Sequence, residues 1–598
     1  MATHQPDTAA TQPGLPVLAQ PVVDSSLVSP PPAAPPAESS TTARKQSIPS
    51  SRSSHSGETL AEQDAVDLEK GENKEDRTFN DQEDEVDAPP KPDPATAAKG
   101  KEDPSGCVLR LSHVVSRELT PRNSGDPFLV TLKGREHLSP HTWSVWYRWA
   151  LTALAGFLVL NATFASSAPS NLIPSIIGHF HVSQEVGILL IAIFVAGYCV
   201  GPLLWGPLSE RYGRRLVFLV VWPPYIGFQI GCALAPNIGS LIVFRFLGGC
   251  FAASPLTNSG GVIADLWDAE RRGDAMAIFA LMPFAGPALA PIISGFMQVT
   301  GTNWRWIFWV LTAFAGLCGI LLVAFLPETY LPVILQAEAR RLRKETGDSR
   351  YHAELDIKKE GGIKATLQRT VLKPFVMAVE EPMLLILTVY MYVTPLVYGV
   401  VYLLFEAIPI VFEGKHGLNG GESGLVFLAL LTGGVIGVLG YIFYFNPQYM
   451  KKHRAIRPKM VPPEERLKPM LIASPLFAAA FFWFGWTGAY PHISIWSPIL
   501  AIVMLGTTIL YVFLTGFNYL IDTYLWGASS ALAFNTVVRS SFGAGFPLFA
   551  VQMYNKLGIQ GASSLLGGLA ILFIPAPFLL IKYGKKIRSW SKNAVVLD

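Results

Sequence analysis

From Trp146 onward the chain alternates long apolar runs with short polar breaks. A helix needs roughly 20 apolar residues to cross a bilayer. Twelve stretches meet that length: about 146–168, 185–205, 215–235, 239–264, 274–299, 305–326, 382–408, 422–445, 469–488, 495–518, 526–552 and 560–582. Several hold Pro and Gly, which lipid-embedded helices tolerate better than soluble ones. Only one break is long, 327–381. It carries Arg340-Arg341-Leu342-Arg343-Lys344 and shows helical periodicity near 333–345. The predicted fold class is therefore an all-α membrane protein, with six spans, a polar linker and six spans.

The first 125 residues read differently. They are rich in Pro, Ser, Ala, Asp and Glu, and their apolar residues are too scattered to bury a core, so a disordered tail is predicted. No charged n-region followed by an apolar h-region opens the chain, so no cleaved signal peptide is expected. Ser47, Ser50, Ser51, Ser53 and Ser54 lie among Arg44, Lys45 and Arg52, a candidate kinase target that reads equally well as a solvated Ser-rich tail. The expected domains are the tail 1–125, a pre-membrane segment with the first bundle 126–326, the linker 327–381, a second bundle 382–582 and a carboxyl tail 583–598.

Charge sharpens this layout. The net charge of +3 over 598 residues divides into −8 for residues 1–145 and +11 for residues 146–598. Only about 12% of the second part is charged, against roughly a quarter in soluble proteins. So apolar a stretch implies lipid as its solvent. If the amino tail is cytoplasmic, the inner loops hold twelve Lys and Arg and the outer loops three. The positive-inside rule then puts both termini in the cytoplasm. The basic linker suits the anionic inner leaflet. No basic stripe with interleaved aromatics calls for nucleic acid. The five cysteines show no CxxC spacing and read as small buried hydrophobes, so no zinc, disulfide framework or other cofactor is implied.

The motifs name a class. Between spans 2 and 3 runs Gly206-Pro-Leu-Ser-Glu-Arg-Tyr-Gly-Arg-Arg215, two glycines for a tight turn with Glu210 and Arg211 offering an ion pair to neighbouring helix ends and Arg214 holding the inner face. Span 4 carries Arg245-Phe-Leu-Gly-Gly-Cys-Phe-Ala-Ala253; an Arg inside a span costs roughly 2.5–3.5 kcal/mol and faces a partner or water, or snorkels at a helix end. Span 5 carries Ala285-Gly-Pro-Ala-Leu-Ala-Pro-Ile-Ile-Ser-Gly295, where Pro287 and Pro291 would bend the helix. These strings resemble the loop signature, the fourth-helix motif and the antiporter motif of the major facilitator superfamily. With Asn303-Trp-Arg-Trp-Ile-Phe-Trp309, Pro327-Glu-Thr-Tyr330 and Ala533-Phe-Asn-Thr-Val-Val-Arg-Ser540, the chain resembles the fungal twelve-span drug:proton antiporters over about 126–590.

That resemblance implies alternating access by two six-helix bundles around a mid-membrane site. It implies conformational gating at Gly206, Glu210, Arg211, Gly213, Arg214, Gly286, Pro287 and Pro291, and proton movement involving Arg245. It implies a small-molecule substrate and a proton as partners, in a plasma or alternatively vacuolar membrane. Intramembrane carboxylates are few. Glu406 lies among Tyr398, Tyr402 and Phe405; Asp265 caps the inner end of span 4; Asp522 lies in the short inner loop 10–11. A carboxylate desolvated among aromatics can bind and release a proton near neutral pH, so Glu406 is the candidate for coupling or for a cationic substrate. Asp265 and Asp522 read as coupling residues or inner-face structural pairs. Cavity candidates, placed by the fold, are Asn161, Ser167, Asn258, Tyr390, Tyr398, Tyr402, Asn518, Phe534, Asn535 and Arg539. A polyamine or nutrient carrier and a transporter-like sensor remain open. The sequence carries no Walker, G-x-S-x-G or H-E-x-x-H string, which weighs against an ATP-driven pump or a membrane enzyme.

Overall fold

The structure is a computed structural model and describes residues 126–357, 393–456, 461–524 and 528–589. Its spans are α1 (Val145–Ser167), α2 (Gln184–Tyr212), α3 (Arg214–Ala233), α4 (Ile238–Leu266), α5 (Ala269–Val299), α6 (Arg305–Phe325), α7 (Val393–Phe412), α8 (Gly420–Gly440), α9 (Lys468–Gly488) and α10 (Trp496–Thr523). One further run, Ala528–Phe573, breaks at Gly558, whose φ of 71° and ψ of 171° are non-helical. It divides into α11 (528–557) and α12 (559–573). Ten helices among the described residues are long and apolar enough to cross a membrane, Leu396–Phe412 is a shorter apolar helix, and the break at Gly558 makes twelve segments. The positions follow the hydropathy because lipid offers backbone groups no partner, so each apolar stretch must satisfy its own as helix.

Local signals set the ends. Ser144 caps α1 by accepting from Tyr147 N, 3.3 Å, and Asn237 caps α4 by accepting from Ser240 N, 2.8 Å. Asn419 and Glu422 form a reciprocal capping box at α8, both bonds 2.9 Å. The linker's periodicity near 333–345 is helix Leu331–Thr346. The lead-in segment packs on it: Val130 shares a small core with Leu335, Ala339 and Ala353, and Val130 N donates to His352 O, 2.9 Å.

Two expectations about the inner loops are corrected. Gly206 does not turn the chain. Helix α2 continues through Gly206 to Tyr212, and Gly213 alone reverses direction, with φ 95° and ψ 161°. A continuous helix satisfies the backbone to the edge of the bundle, so one residue is left to turn. Asp522 is not in a loop either, since α10 runs on to Thr523. Pro283, Pro287 and Pro291 all lie within α5, which is one helix from Ala269 to Val299. Gly286 serves close packing, because a Cβ there would meet Thr163 Oγ1 and the Phe164 backbone of α1.

In the first half α1 packs on α4, α5 and α6, and α4 also packs on α2 and α3. In the second half α7 packs on α11, and α10 packs on α8 and α9. Two antiparallel helix pairs join the halves. On α2 and α11, Cys199 approaches Val537 O at 3.6 Å while Glu185 meets Gln552 at 3.4 Å. On α5 and α8, Gly295 lies against Gly420 and Pro291 against Gly424.

Gly213→Ala tests the turn. The new Cβ would face both an unfavourable φ and the Glu328 carboxylate. A strained backbone of this kind costs roughly 1–3 kcal/mol. Thermal unfolding in detergent is expected to shift down by several degrees, while Gly206→Ala, whose nearest atom would be Thr257 Cγ2 at 3.5 Å, shifts it little.

Candidate functional site

Arg245 enters on the first third of α4 and is fully buried. It does not snorkel. Its Nη1 donates to Ala165 O at 2.8 Å, its Nη2 to Ser166 O at 2.9 Å and its Nε to Leu190 O at 3.0 Å. Ala165 and Ser166 belong to the last turn of α1, where carbonyls have no intrahelical partner. Arg245 therefore caps α1 from another helix and binds it to α2 and α4. Its guanidinium also lies 4.2 Å from the Phe194 ring.

The same turn reaches the other half. Ser166 Oγ and Tyr402 Oη lie 2.8 Å apart. Tyr402 of α7 is fully buried and edges onto Tyr398, with centroids 5.2 Å apart, and onto Phe405, 5.6 Å. Tyr398 in turn lies 5.1 Å from the Arg539 guanidinium of α11. A buried thread thus runs from Arg245 through Ser166, Tyr402 and Tyr398 to Arg539 and crosses between the halves.

Glu406 lies one helical turn beyond Tyr402. It is half-buried and makes no hydrogen bond or ion pair among the described residues. The partners of Arg245 are backbone carbonyls, so the two expected coupling groups do not meet. Asn161 accepts from Tyr225 Oη, 2.9 Å, and Asn258 donates to Ser254 Oγ, 3.2 Å. Both asparagines keep one buried polar atom without a partner. Asn518 and Asn535 are buried, Ser167 bonds the α1 backbone, and Phe534 is half-buried. Tyr390 lies outside the described residues.

The inner-face charges pair across helix ends. Arg214 Nε lies 3.4 Å from Asp265 Oδ2 at the end of α4. Arg214 N and Arg215 N donate to the Glu328 carboxylate at 2.9 and 3.2 Å. Gly213 aims Arg214 at α4, where it pairs with Asp265, while Glu210 and Arg211 lie on the last helical turn of α2. Burial, and next the charge of Glu210, push the Tyr330 hydroxyl up to about 12. The second half repeats the arrangement with other residues. Arg466 Nε meets Asp522 Oδ2 at 3.0 Å at the start of α9 and end of α10, and Arg466 Nη1 donates to Tyr441 Oη at 3.2 Å. Arg588 meets Glu464 at 3.0 Å. In the sequence Arg466 is one of the inner-loop charges and Glu328 lies within Pro327-Glu-Thr-Tyr330. An acid or base within a few residues of a span end was the available signal.

Breaking a fully buried pair from one side costs roughly 3–5 kcal/mol; Arg466–Asp522 is 8% and 17% exposed, so a smaller loss is expected. Arg466→Leu and Asp522→Leu should each lower the melting temperature, and the double variant should lower it by less than the sum of the two. Additive losses in that cycle would show the pair to be independent charges.

Between the halves lies a cavity of about 70 Å³ lined by α1, α4, α5, α10 and Arg539 of α11. Its α4 wall, Thr257 and Gly260, comes twelve and fifteen residues after Arg245. At 1.5 Å per residue that is roughly 18–22 Å nearer the face carrying Asp265. At the opposite end Asn171 Nδ2 donates to Pro291 O and Gly420 O at 3.1 and 3.3 Å, closing the halves there. At the near end Asn446 Nδ2 donates to Asp274 Oδ1 at 2.7 Å.

Residues 152–547 match the sequence model of the Major Facilitator Superfamily. The chain is 41% identical over 474 residues to the "Major facilitator superfamily multidrug transporter mdrA" of Aspergillus fumigatus, covering 79% of this chain and 77% of that protein. It is 42% identical over 446 residues to "Efflux pump FUB11" of Gibberella moniliformis, covering 74% of each. Among solved structures, the proton:xylose symporter XylE bound to 6-bromo-6-deoxy-D-glucose aligns with a TM-score of 0.52 at 17% identity, covering 74% of this chain and 96% of that one.

Proposed function

We propose that this chain, which belongs to the major facilitator superfamily, is an integral membrane exporter of small organic molecules driven by proton exchange. The observation that carries this reading is the buried thread across the two halves, from Arg245 through Ser166 to Tyr402. Alternating access requires the halves to rock about a site near the midplane. A single hydroxyl pair linking α1 to α7 is a contact that can be made in one state and broken in another at the cost of one hydrogen bond, about 0.5–1.5 kcal/mol net. The names of relatives about 40% identical, a multidrug transporter and an efflux pump, favour export of organic compounds.

In this reading the domains are the cytoplasmic tail 1–125, the bundles 126–326 and 382–582, the linker 327–381 and the tail 583–598, with both termini cytoplasmic in the plasma membrane. The inner clamps Arg214–Asp265 and Arg466–Asp522 hold helix ends while the bundles move. Gly213 and Gly286 permit the turn and the close helix approach that rocking needs. Glu406 binds the proton.

Proteoliposomes with an acidified lumen test it. A labelled drug should accumulate in the lumen, and a protonophore should abolish the accumulation. Movement of solute together with protons would make the protein a symporter, such as a nutrient carrier. No gradient-driven movement of any compound would refute transport.

A further inference from the structure

Arg539 is a buried cation with two donors left open. It is 4% exposed and lies in the wall of the cavity between the halves. Three ring faces surround its guanidinium: Phe513 at 4.8 Å, Tyr398 at 5.1 Å and Phe517 at 5.4 Å. Its Nε and Nη1 are buried and have no hydrogen-bond partner, and no carboxylate pairs with it among the described residues. The contrast with its neighbours is sharp: Arg245 reaches three carbonyls and Arg466 reaches Asp522.

Ring faces attract a cation through their quadrupole but accept little from its in-plane N–H groups. A buried, uncompensated charge at membrane depth is expensive, and such residues mark ligand pathways. The positive charge also repels a cationic ligand through a low-dielectric wall. A guanidinium instead matches a planar carboxylate in shape and charge. At about 70 Å³ the cavity is well below the roughly 300–1,000 Å³ of pockets that take drug-sized ligands. A ligand must therefore part the ring cage, which would leave rings against its own flat faces.

We propose that the cavity between α4, α5 and α10 takes a flat organic anion, its carboxylate on the Arg539 guanidinium and its conjugated ring among Tyr398, Phe513 and Phe517. This deepens the export reading and rests on it for the claim that such anions are cargo. The binding claim stands apart from transport.

The test uses the full chain in lipid nanodiscs and three matched probes: 2-naphthoate, neutral 2-naphthamide and the (2-naphthyl)methylammonium cation. Wild type should bind naphthoate at least about tenfold more tightly than the amide, and the cation most weakly. Arg539→Gln should erase the preference by weakening naphthoate and leaving the amide nearly unchanged. Arg539→Lys, which keeps the charge and serves should the Gln variant not fold, should retain part of the preference. Equal affinity for naphthoate and naphthamide in wild type, no naphthoate binding at all, or a preference surviving in Arg539→Gln would each overturn the proposal. Failure of every proton-driven flux with the anion preference intact would sink the export reading alone.

Discussion

Arg245→Ala should abolish transport of every substrate, not of some. The side chain donates to the Ala165 and Ser166 carbonyls at the open end of α1 and also to Leu190 O of α2. Truncation leaves the two α1 carbonyls without their bond, at roughly 1–3 kcal/mol for each that stays buried, and removes a second contact from Leu190 O. Two such groups, even at the low end, exceed the 1.4 kcal/mol that equals tenfold. The turn they belong to also carries Ser166, whose hydroxyl meets Tyr402 across the halves. Disordering that turn therefore removes the link between α1 and α7 whatever the cargo. Flux of several unrelated compounds into proteoliposomes should fall at least tenfold together. Arg245→Lys should rescue little, since one ammonium cannot reach three carbonyls in the guanidinium's plane. Tyr402→Phe separates the two parts of this account. It deletes only the hydroxyl, so the α1 cap persists and a milder loss is expected. Selective loss of one substrate in Arg245→Ala would show a cavity role instead.

The second large effect is expected at Glu406. Glutamine keeps the shape and most of the hydrogen-bonding capacity of the side chain but cannot titrate. Because Glu406 has no hydrogen bond or ion pair among the described residues, the exchange should leave packing and melting temperature nearly unchanged. Gradient-driven accumulation should disappear, while exchange of labelled for unlabelled substrate at equal pH continues. That split is one that a merely structural glutamate would not give. Accumulation with the wild-type dependence on the pH gradient would remove Glu406 from the coupling step, and Asp265, held at 3.4 Å from Arg214, would not replace it as long as Asp265→Asn acts only on stability.

Some of the site could be read in the chain before any coordinates. Arg245 stood out as a charge inside an apolar run, and Tyr402 and Arg539 as polar or charged positions within spans 7 and 11. What they touch could not be read. Arg245 was open between a helix-end cation and a partner-seeking one, and its partners proved to be backbone carbonyls, which carry no sequence signature. Ser166, the residue that hands the contact across, is one of a Ser166-Ser167 pair in an unremarkable small-residue stretch. The motif string places Glu210, Arg211 and Arg214 at the inner face, and Asp265 reads there as one member of a pair or as a coupling group. The actual pair, Arg214–Asp265, depends on the direction in which Gly213 turns the chain. In the second half the motif string has faded, yet Arg466–Asp522 restores the same contact from other positions. A requirement on geometry had been met without repeating the residues.

The sequence by itself determined the spans, the linker and the family, because lipid gives unpaired backbone no partner and so turns apolar length directly into helix. Those are one-dimensional quantities. Only the tertiary structure decided which buried charges are paired. Pairing depends on distances between helices that are remote in the chain: 79 residues separate Arg245 from Ser166 and 236 separate Ser166 from Tyr402. It is that arrangement, with Arg245 fully bonded and Arg539 caged by rings but unbonded, that distinguishes a fastener of the fold from a group held open at the cavity.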